Sequence, residues 1–203
     1  MTERRNKTKA LRSARITDAA KKLFIAQGYD PVTMDMVAAE ASMSKVTIYK
    51  YFPTKQDLLF NVTSDWMKAA NETIWPQDMD ETLPFEVFLD RLMQNFCKVF
   101  LTMNAISARR MMLGALPKIP ELGRIVFEGG PSVILQKLDA YFQRMTKAGH
   151  AHIDQPDLAA AQFYNLMQSD IELRGVYLGE MSSPQKIQSH IASSVNMFAS
   201  YYR

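Results

Sequence analysis

The chain has 203 residues, of which 47% are apolar, an ordinary composition for a globular protein of one or two small domains. Residues 1–60 hold 11 basic and six acidic side chains (+5), and the other 143 residues hold 13 and 15 (−2). A single cysteine excludes an intrachain disulfide, no apolar run approaches the ~20 residues of a membrane span, and the N-terminus lacks a signal-peptide pattern. We therefore expect a cytoplasmic protein whose basic N-terminal part binds nucleic acid and which has no membrane partner.

Basic side chains crowd residues 1–11, namely Arg4, Arg5, Lys7 and Lys9. We expect this arm to be mobile when free. It either contacts phosphates or the minor groove, or it is a solvated tail, and the sequence leaves both interpretations open. The first helix then runs from Arg12 to Gln27, because apolar residues recur at i, i+3, i+4, i+7 and i+8, and Gly28 ends it.

Residues 33–51 predict two short helices joined by a tight turn. Thr33 can cap the first helix and Ser44 the second, Lys45–Tyr51, because their hydroxyls accept free backbone N–H groups. On this second helix Val46, Ile48 and Phe52 can face the interior. Lysines, a threonine and tyrosines remain outside, which suits phosphates and base edges. The pattern is typical of a helix-turn-helix with Lys45–Tyr51 as the recognition helix.

A third helix follows the stop at Pro53. Thr54 caps it, and Asp57 completes a capping-box-like pattern. Leu58, Leu59, Val62, Trp66 and Ala70 predict one apolar stripe that continues to about Trp75. This helix links the N-terminal module to the rest of the chain.

The residues Ser44-x-x-Thr47-Ile48-Tyr49-x-Tyr51-Phe52-x-Thr54-Lys55-x-Asp57-Leu58-Leu59, with the upstream Gly28-Tyr29-Asp30-x-x-Thr33, closely resemble the DNA-binding signature of the TetR family of bacterial transcriptional regulators. The pattern covers about the first third of the chain. Ser42 departs from it, since many members carry glycine in the turn. The C-terminal half resembles an AefR-like branch. The resemblance implies a phosphate contact at Lys55, and helix N-termini themselves attract phosphate.

Exposed lysines and tyrosines are often merely solvated, so no single one of these residues indicates DNA binding. Three features occur together: the spacing of the turn, the hydroxyls and lysines on one short helix, and the basic arm before it. This combination favours DNA binding. The candidate DNA contacts are Thr33, Ser44, Lys45, Val46, Thr47, Tyr49, Lys50, Tyr51 and Lys55.

The pattern of the remaining chain also predicts helices, so the predicted fold class is all-α. We expect a DNA-binding domain over residues 1–60 and a helical effector-binding and dimerisation domain over residues 61–203. The predicted helices cover residues 85–102, 105–116, 120–129, 132–147, 157–178 and 184–202, after a proline-bracketed loop at 76–84. The last two helices are apolar on more than one side. By resemblance they form a four-helix bundle across a homodimer.

Flexible or flat apolar side chains crowd the middle helices and suggest a pocket for a small, largely apolar effector, although core packing is the ordinary fate of each one. The candidate pocket residues are Phe96, Phe100, Met103, Met111, Phe127, Phe142, Phe163, Met167 and Asp170. His150, His152 and Asp154 alternate in a loop, a spacing that chance produces easily, so we predict no metal site and no cofactor. Cys97 is expected to be a small buried side chain.

We therefore expect a homodimeric, effector-responsive repressor that binds a palindromic operator in double-stranded DNA and is released when the effector acts through the linking helix. The alternative is a DNA-binding architectural or partner-recruiting protein without a small-molecule effector. An enzyme is not expected, because the sequence has no glycine-rich phosphate loop, nucleophile elbow or paired metal motif.

Overall fold

The structure, a computed structural model, describes the backbone of residues 2–203 and the side chains of residues 7–203. Over this range the chain forms helices and no strands, which confirms the all-α class. The helices are α1 (Thr2–Gln27), α2 (Met34–Glu40), α3 (Lys45–Tyr51), α4 (Lys55–Ile74), α5 (Phe85–Phe100), α6 (Met103–Ala115), α7 (Glu121–Gly129), α8 (Pro131–Lys147), α9 (Pro156–Leu178) and α10 (Pro184–Tyr202). None of these helices has the length and apolar character needed to cross a membrane.

Helix α1 begins at Thr2, so the helix start predicted at Arg12 is wrong. The mobility expected for residues 1–11 in the free protein stays a prediction. The segment contains no glycine or proline, and alanine, leucine, lysine and arginine all favour helix. Lys7 and Lys9 are exposed. The side chains of Arg4 and Arg5 lie outside the part of the chain that the structure describes.

The chain folds into two compact units. The first unit contains the chain up to Trp66 together with Ser107–Val126, and the second contains Met67–Ile106 and Phe127–Arg203. Helices α4, α6 and α7 therefore each contribute residues to both units. The predicted boundary between a DNA-binding domain and an effector-binding domain, at residues 60 and 61, is a functional division and stays a prediction.

The first unit is built on α1. Helix α1 packs on α2, and α2 packs on α3. Ile16, Ala20 and Phe24 lie on the buried face of α1, each fully shielded from solvent, as the spacing predicts. The Arg15 guanidinium donates to the carbonyl of Ala41 at 2.7 Å, so this basic residue ties α1 to the end of α2.

The second unit is a bundle in which α8 packs on α9, and α10 packs on α5 and α9. Its core is aromatic. The Tyr141 ring stacks on Phe88 with 3.9 Å between centroids, and Phe142 contacts both Phe163 and Phe198. Cys97 is buried in this core, as expected, and burial raises the pKa of its thiol to about 11.

Helix α9 breaks at Ser169, whose φ of 56° and ψ of 179° are not helical, so the predicted unbroken helix over 157–178 is wrong at this point. The Ser169 hydroxyl accepts the N–H of Ile171 at 3.1 Å, and one ring nitrogen of His190, on α10, bonds to the Leu166 carbonyl at 2.8 Å. Side chains therefore satisfy backbone groups near the break. No glycine or proline marks this position in the sequence.

Candidate nucleic-acid interface

Helix α3 presents one narrow side to the first unit and the rest of its surface to solvent. Ile48 is fully buried and Phe52 is 6% exposed, whereas Val46 is 80% exposed. The inward orientation expected for Val46 is therefore wrong. At about 100° per residue, Val46 lies roughly opposite Ile48, while Phe52, one turn further on, lies on the same side as Ile48. Val46, Tyr49 and Lys50 are thus exposed together on the surface of α3.

Two of the candidate contacts cap helices, as expected. The Thr33 hydroxyl accepts the N–H of Met36 at 3.2 Å, and the Ser44 hydroxyl accepts the N–H of Thr47 at 3.2 Å. The hydroxyls of Ser44 and Thr47 also lie 2.8 Å apart, in hydrogen-bonding contact. Thr33 and Ser44 therefore set where α2 and α3 begin, in addition to any contact with DNA.

The turn between α2 and α3 places Ser42 in the left-handed region, with φ of 52°. The N–H of Ser42 donates to the Ala39 carbonyl at 3.0 Å, and the N–H of Met43 donates to the Ala38 carbonyl at 2.9 Å. This pair of hydrogen bonds is the Schellman arrangement, in which glycine is the favoured residue at the position that Ser42 occupies. The turn therefore carries the conformational strain of a non-glycine residue.

Lys45, the first residue of α3, is held by Asp35 of α2. Its ammonium nitrogen lies 2.8 Å from one oxygen of the Asp35 carboxylate and 6.0 Å from the centre of the Tyr49 ring. The hydrogen bond to Asp35 raises the pKa of Lys45, so the side chain stays charged. Both side chains are more than half exposed, which leaves the ammonium accessible to a phosphate.

Lys55 is placed differently from the other candidate lysines. Its ammonium donates to the carbonyls of Tyr29, Asp30 and Val32 at 3.0, 3.1 and 2.8 Å, and it lies 4.1 Å from the centre of the Tyr29 ring. Partial burial lowers the pKa of Lys55. No sequence pattern indicates these contacts, because the acceptors are backbone groups about 25 residues away. The phosphate contact implied by resemblance stays a prediction.

The start of α4 has the predicted capping pattern. The Asp57 carboxylate accepts the N–H of Thr54 at 3.1 Å, and the Thr54 hydroxyl accepts the N–H of Asp57 at 3.0 Å. Reciprocal bonds of this kind satisfy free donors at a helix N-terminus. The capping box therefore fixes the first turn of α4, where Lys55 lies.

The candidate effector residues do not gather at one place. Phe96, Phe142, Phe163 and Met167 are at most 1% exposed and belong to the core of the second unit, with Phe100 packed against them. Met103 and Phe127, in the same unit, are 49% and 57% exposed. Asp170 is exposed and pairs with Arg174 and Lys186 at 3.5 and 3.4 Å.

Met111 lies in the first unit and lines a cavity of about 580 Å³ together with Ser107, Arg110 and Gly114 of α6. The opposite wall is the end of α1 and the loop from Gly28 to Pro31. The second unit has a cavity of about 610 Å³, whose apolar lining includes Leu83, Phe85 and Met145. Both volumes fall within the usual range for small-molecule sites.

Helices α9 and α10 expose large apolar side chains. They are Leu158, Leu173, Tyr177 and Leu178 on α9 and Met197 and Tyr201 on α10, each at least 46% exposed. Large apolar side chains that are exposed together can form protein–protein contact sites. The exposure agrees with the expectation that these helices have apolar residues on more than one side.

Comparison with known proteins identifies both parts of the chain. Residues 16–62 match the model of the bacterial regulatory proteins of the tetR family, and residues 88–203 match the AefR-like transcriptional repressor C-terminal domain. The chain is 36% identical over 70 residues to the HTH-type regulator YhgD of Bacillus subtilis (strain 168), and the match spans 34% of this chain and 36% of that relative, about a third of its length.

Solved structures share the fold over nearly the whole chain. A TetR-family regulator from Mesorhizobium loti MAFF303099 superposes with a TM-score of 0.88 at 26% identity, over 95% of this chain and 97% of that one. The flavonoid-responsive regulator FrrA superposes with a TM-score of 0.77 at 22% identity, over 96% and 98%. The predicted resemblance, including its AefR-like C-terminal half, is thus confirmed, and the chain belongs to the TetR family of DNA-binding transcriptional regulators, which are not enzymes.

Proposed function

We propose that this protein is an effector-responsive repressor that binds a palindromic operator as a homodimer, with α3 of each copy in the major groove. The observation that carries the proposal is the exposed surface of α3. On this seven-residue helix, Ile48 is buried, whereas Val46, Tyr49 and Lys50 are exposed. A short helix with one buried side and an otherwise exposed surface is typical of a recognition helix. Apart from Lys55, which is treated separately below, the proposed contacts to DNA are those of the sequence analysis. Thr33, Ser44, Lys45, Thr47 and Tyr51 accompany the three exposed residues of α3.

Charge distribution supports DNA as the partner. Residues 1–60 carry a net charge of +5, whereas the rest of the chain carries −2. Positive charge around a recognition helix attracts the phosphate backbone and makes affinity depend steeply on salt. Tyrosine, threonine and valine side chains on α3 then supply contacts that depend on the base sequence.

Two copies of the chain are proposed because one helix of seven residues reads few base pairs. The exposed apolar side chains of α9 and α10 supply a contact surface, with Leu173, Tyr177 and Met197 each 57% exposed or more. Pairing of these helices across a two-fold axis would place two copies of α3 on one palindrome. Half-sites about 34–36 Å apart, or a multiple of that distance, are expected.

The effector is proposed to be small and largely apolar. The cavity of about 610 Å³ supports this size, and Leu83, Phe85 and Met145 give it an apolar wall. Two acidic residues of its lining form ion pairs, Glu81 with Arg144 and Glu86 with Arg203. Because these carboxylates already have partners, we expect an uncharged effector in preference to an ion.

The second candidate is a DNA-binding architectural or partner-recruiting protein without a small-molecule effector, and one observation favours it. Phe96, Phe142, Phe163 and Met167, four of the predicted pocket residues, are packed in the core and at most 1% exposed. In that case the body serves dimerisation and recruitment of other proteins.

The proposal is tested by footprinting the purified protein on DNA from upstream of its own gene. We expect protection of one palindromic site, and release of that site by at least one compound in a screen of small apolar molecules. Met145→Trp, which places a bulkier side chain in the cavity wall, should weaken the response to such a compound, whereas Met103→Trp on the exposed surface should not. Selective binding that no compound changes would favour the second candidate, and sequence-blind binding would contradict the first.

A further inference from the structure

The contacts of Lys55 account for its whole hydrogen-bonding capacity. A lysine ammonium has three N–H donors and no acceptor. Here the three donors meet the carbonyls of Tyr29, Asp30 and Val32 at 2.8–3.1 Å. The face of the Tyr29 ring, 4.1 Å from the nitrogen, covers the ammonium further. A phosphate would have to displace at least one of these partners to be bound.

The three carbonyls belong to the loop that leads into the helix-turn-helix. Gly28, with φ of 83°, ends α1, and Thr33 caps α2, so the acceptors lie between two helices. Lys55 itself is the first residue of α4. One side chain therefore ties the start of α4 to the segment that fixes where α2 begins, and α2 packs directly on α3.

A second lysine that contacts the same loop provides a contrast. Lys118 pairs with the Asp30 carboxylate at 2.5 Å, but both side chains are more than half exposed. Exposed ion pairs contribute little to stability, because water screens them and long side chains lose freedom. Lys55 is more enclosed than Lys118, and it binds backbone rather than a single mobile carboxylate.

We propose that Lys55 is a positioning residue, which holds the loop from Tyr29 to Val32 and thereby orients α2 and α3 for DNA, and that it does not bind a phosphate itself. This inference rests on the proposed DNA-binding function. It assigns to Lys55 a role different from the contact that the family resemblance implies.

The test compares three substitutions that each remove one positive charge, Lys55→Met, Lys118→Met and Lys50→Met. Affinity for the footprinted operator is measured over a series of salt concentrations, below the unfolding temperature of each variant. Lys55→Met should weaken binding about tenfold while the slope of log K against log salt stays that of wild type. Lys50→Met should make the slope shallower by about 0.9, as expected for one lost phosphate contact. Lys118→Met should change neither quantity.

Lys55→Arg separates the two roles further. Arginine keeps the positive charge, so a phosphate contact would survive. Its planar guanidinium does not match three carbonyls that converge on one nitrogen, so a positioning role predicts weakened binding in Lys55→Arg as well. A shallower slope in Lys55→Met together with wild-type binding by Lys55→Arg would overturn the inference. So would wild-type binding by folded Lys55→Met.

A measurement on the wild-type protein covers the case in which the variants do not fold. With ¹⁵N-labelled lysine, the ammonium signal of Lys55 should keep its position when operator DNA is added, while the signal of Lys50 shifts. A shift at Lys55 as large as that at Lys50 would overturn the inference. If wild-type protein shows no selective DNA binding at all, the proposed function fails, and that outcome is distinct from a failure at Lys55.

Discussion

The ammonium of Lys45, at the start of the recognition helix, lies 2.8 Å from the carboxylate of Asp35 on the preceding helix. The pair joins α2 to α3, and the hydrogen bond to Asp35 raises the pKa of Lys45. Asp35 therefore places a negative charge beside a lysine that we propose to contact DNA. Its carboxylate competes with phosphate for the same ammonium.

We expect Asp35→Asn to increase DNA affinity and to steepen its salt dependence, by up to about 0.9 in the slope of log K against log salt, as Lys45 turns to a phosphate. The variant should lose some stability, because an acid in the first turn of α2 interacts favourably with the helix dipole. Binding titrations over a salt series provide the measurement. Asp65→Asn, at an exposed position of α4, is the matched control. A fall in affinity in Asp35→Asn would show that the ion pair itself is needed for binding.

Ser42→Gly should stabilise the protein by about 1 kcal/mol, because the residue has φ of 52° in a turn that favours glycine. Ser64→Gly, the same change at an exposed site inside α4, should destabilise it by about 0.5 kcal/mol. Both effects are measured by denaturant unfolding. Destabilisation by both substitutions would show that Ser42 makes a favourable side-chain contact that outweighs its strain.

Substitutions of Val46 and Ile48 should have different effects, one on the recognition of DNA sequence and the other on the free energy of unfolding. Ile48→Ala removes a fully buried side chain, and we expect a loss of about 2–4 kcal/mol in the free energy of unfolding. Val46→Ala removes a side chain that is 80% exposed, so stability should change by less than about 0.5 kcal/mol.

The effect of Val46→Ala should appear instead as an altered preference among operator variants, measured by competition with DNA changed at one base pair at a time. The salt slope should stay that of wild type, because no charge is removed. Unchanged sequence preference would exclude Val46 from the base-reading surface.

Much of this fold could be predicted from the sequence. Apolar spacing and proline positions placed the helices, and Thr33, Ser44 and the pair Thr54 and Asp57 act as the caps that local pattern predicts. Such signals depend on neighbours within one or two turns. The break at Ser169 and the enclosure of Lys55 depend on bonds with residues far along the chain, as between His190 and Leu166, and no local pattern marks them.

The candidate effector residues also could not be assigned from local sequence patterns alone. A phenylalanine or methionine at helical spacing is equally compatible with a core and with a pocket wall. Phe96 and Phe163 are packed in the core, whereas Phe127, of the same residue type, is 57% exposed. Which of these outcomes applies depends on how several helices meet, and the spacing within one helix does not contain that information.

Met197→Glu on α10 should prevent dimer formation, because the side chain is 57% exposed and lies on a helix proposed to pair with a second copy. A buried, unpaired charge at such a contact is strongly unfavourable. Sedimentation analysis should show monomers, and operator affinity should fall with them. Val87→Glu, at an exposed apolar position of α5, is the control and should remain dimeric. Dimers in both variants would place the contact elsewhere.

Cys97 should react slowly with iodoacetamide at neutral and mildly alkaline pH. Burial raises the pKa of its thiol to about 11, and the nearby Glu172 adds to the rise, so little thiolate forms until pH approaches that value. At pH 8 we expect alkylation about a hundredfold slower than for a free thiol of pKa near 8.5. The rate should rise about tenfold per pH unit up to pH 10. Rapid alkylation at pH 8 would indicate that the core around Cys97 opens readily.

We propose that two copies of α3 bind one palindromic site. The most direct measurement is the stoichiometry and affinity of the protein on the footprinted palindrome, on a single half-site and on a scrambled duplex of the same composition. We expect one or more dimers on the palindrome, with much weaker binding to the half-site and to the scrambled DNA. Equal affinity for all three duplexes, lost alike as salt rises, would contradict this proposal.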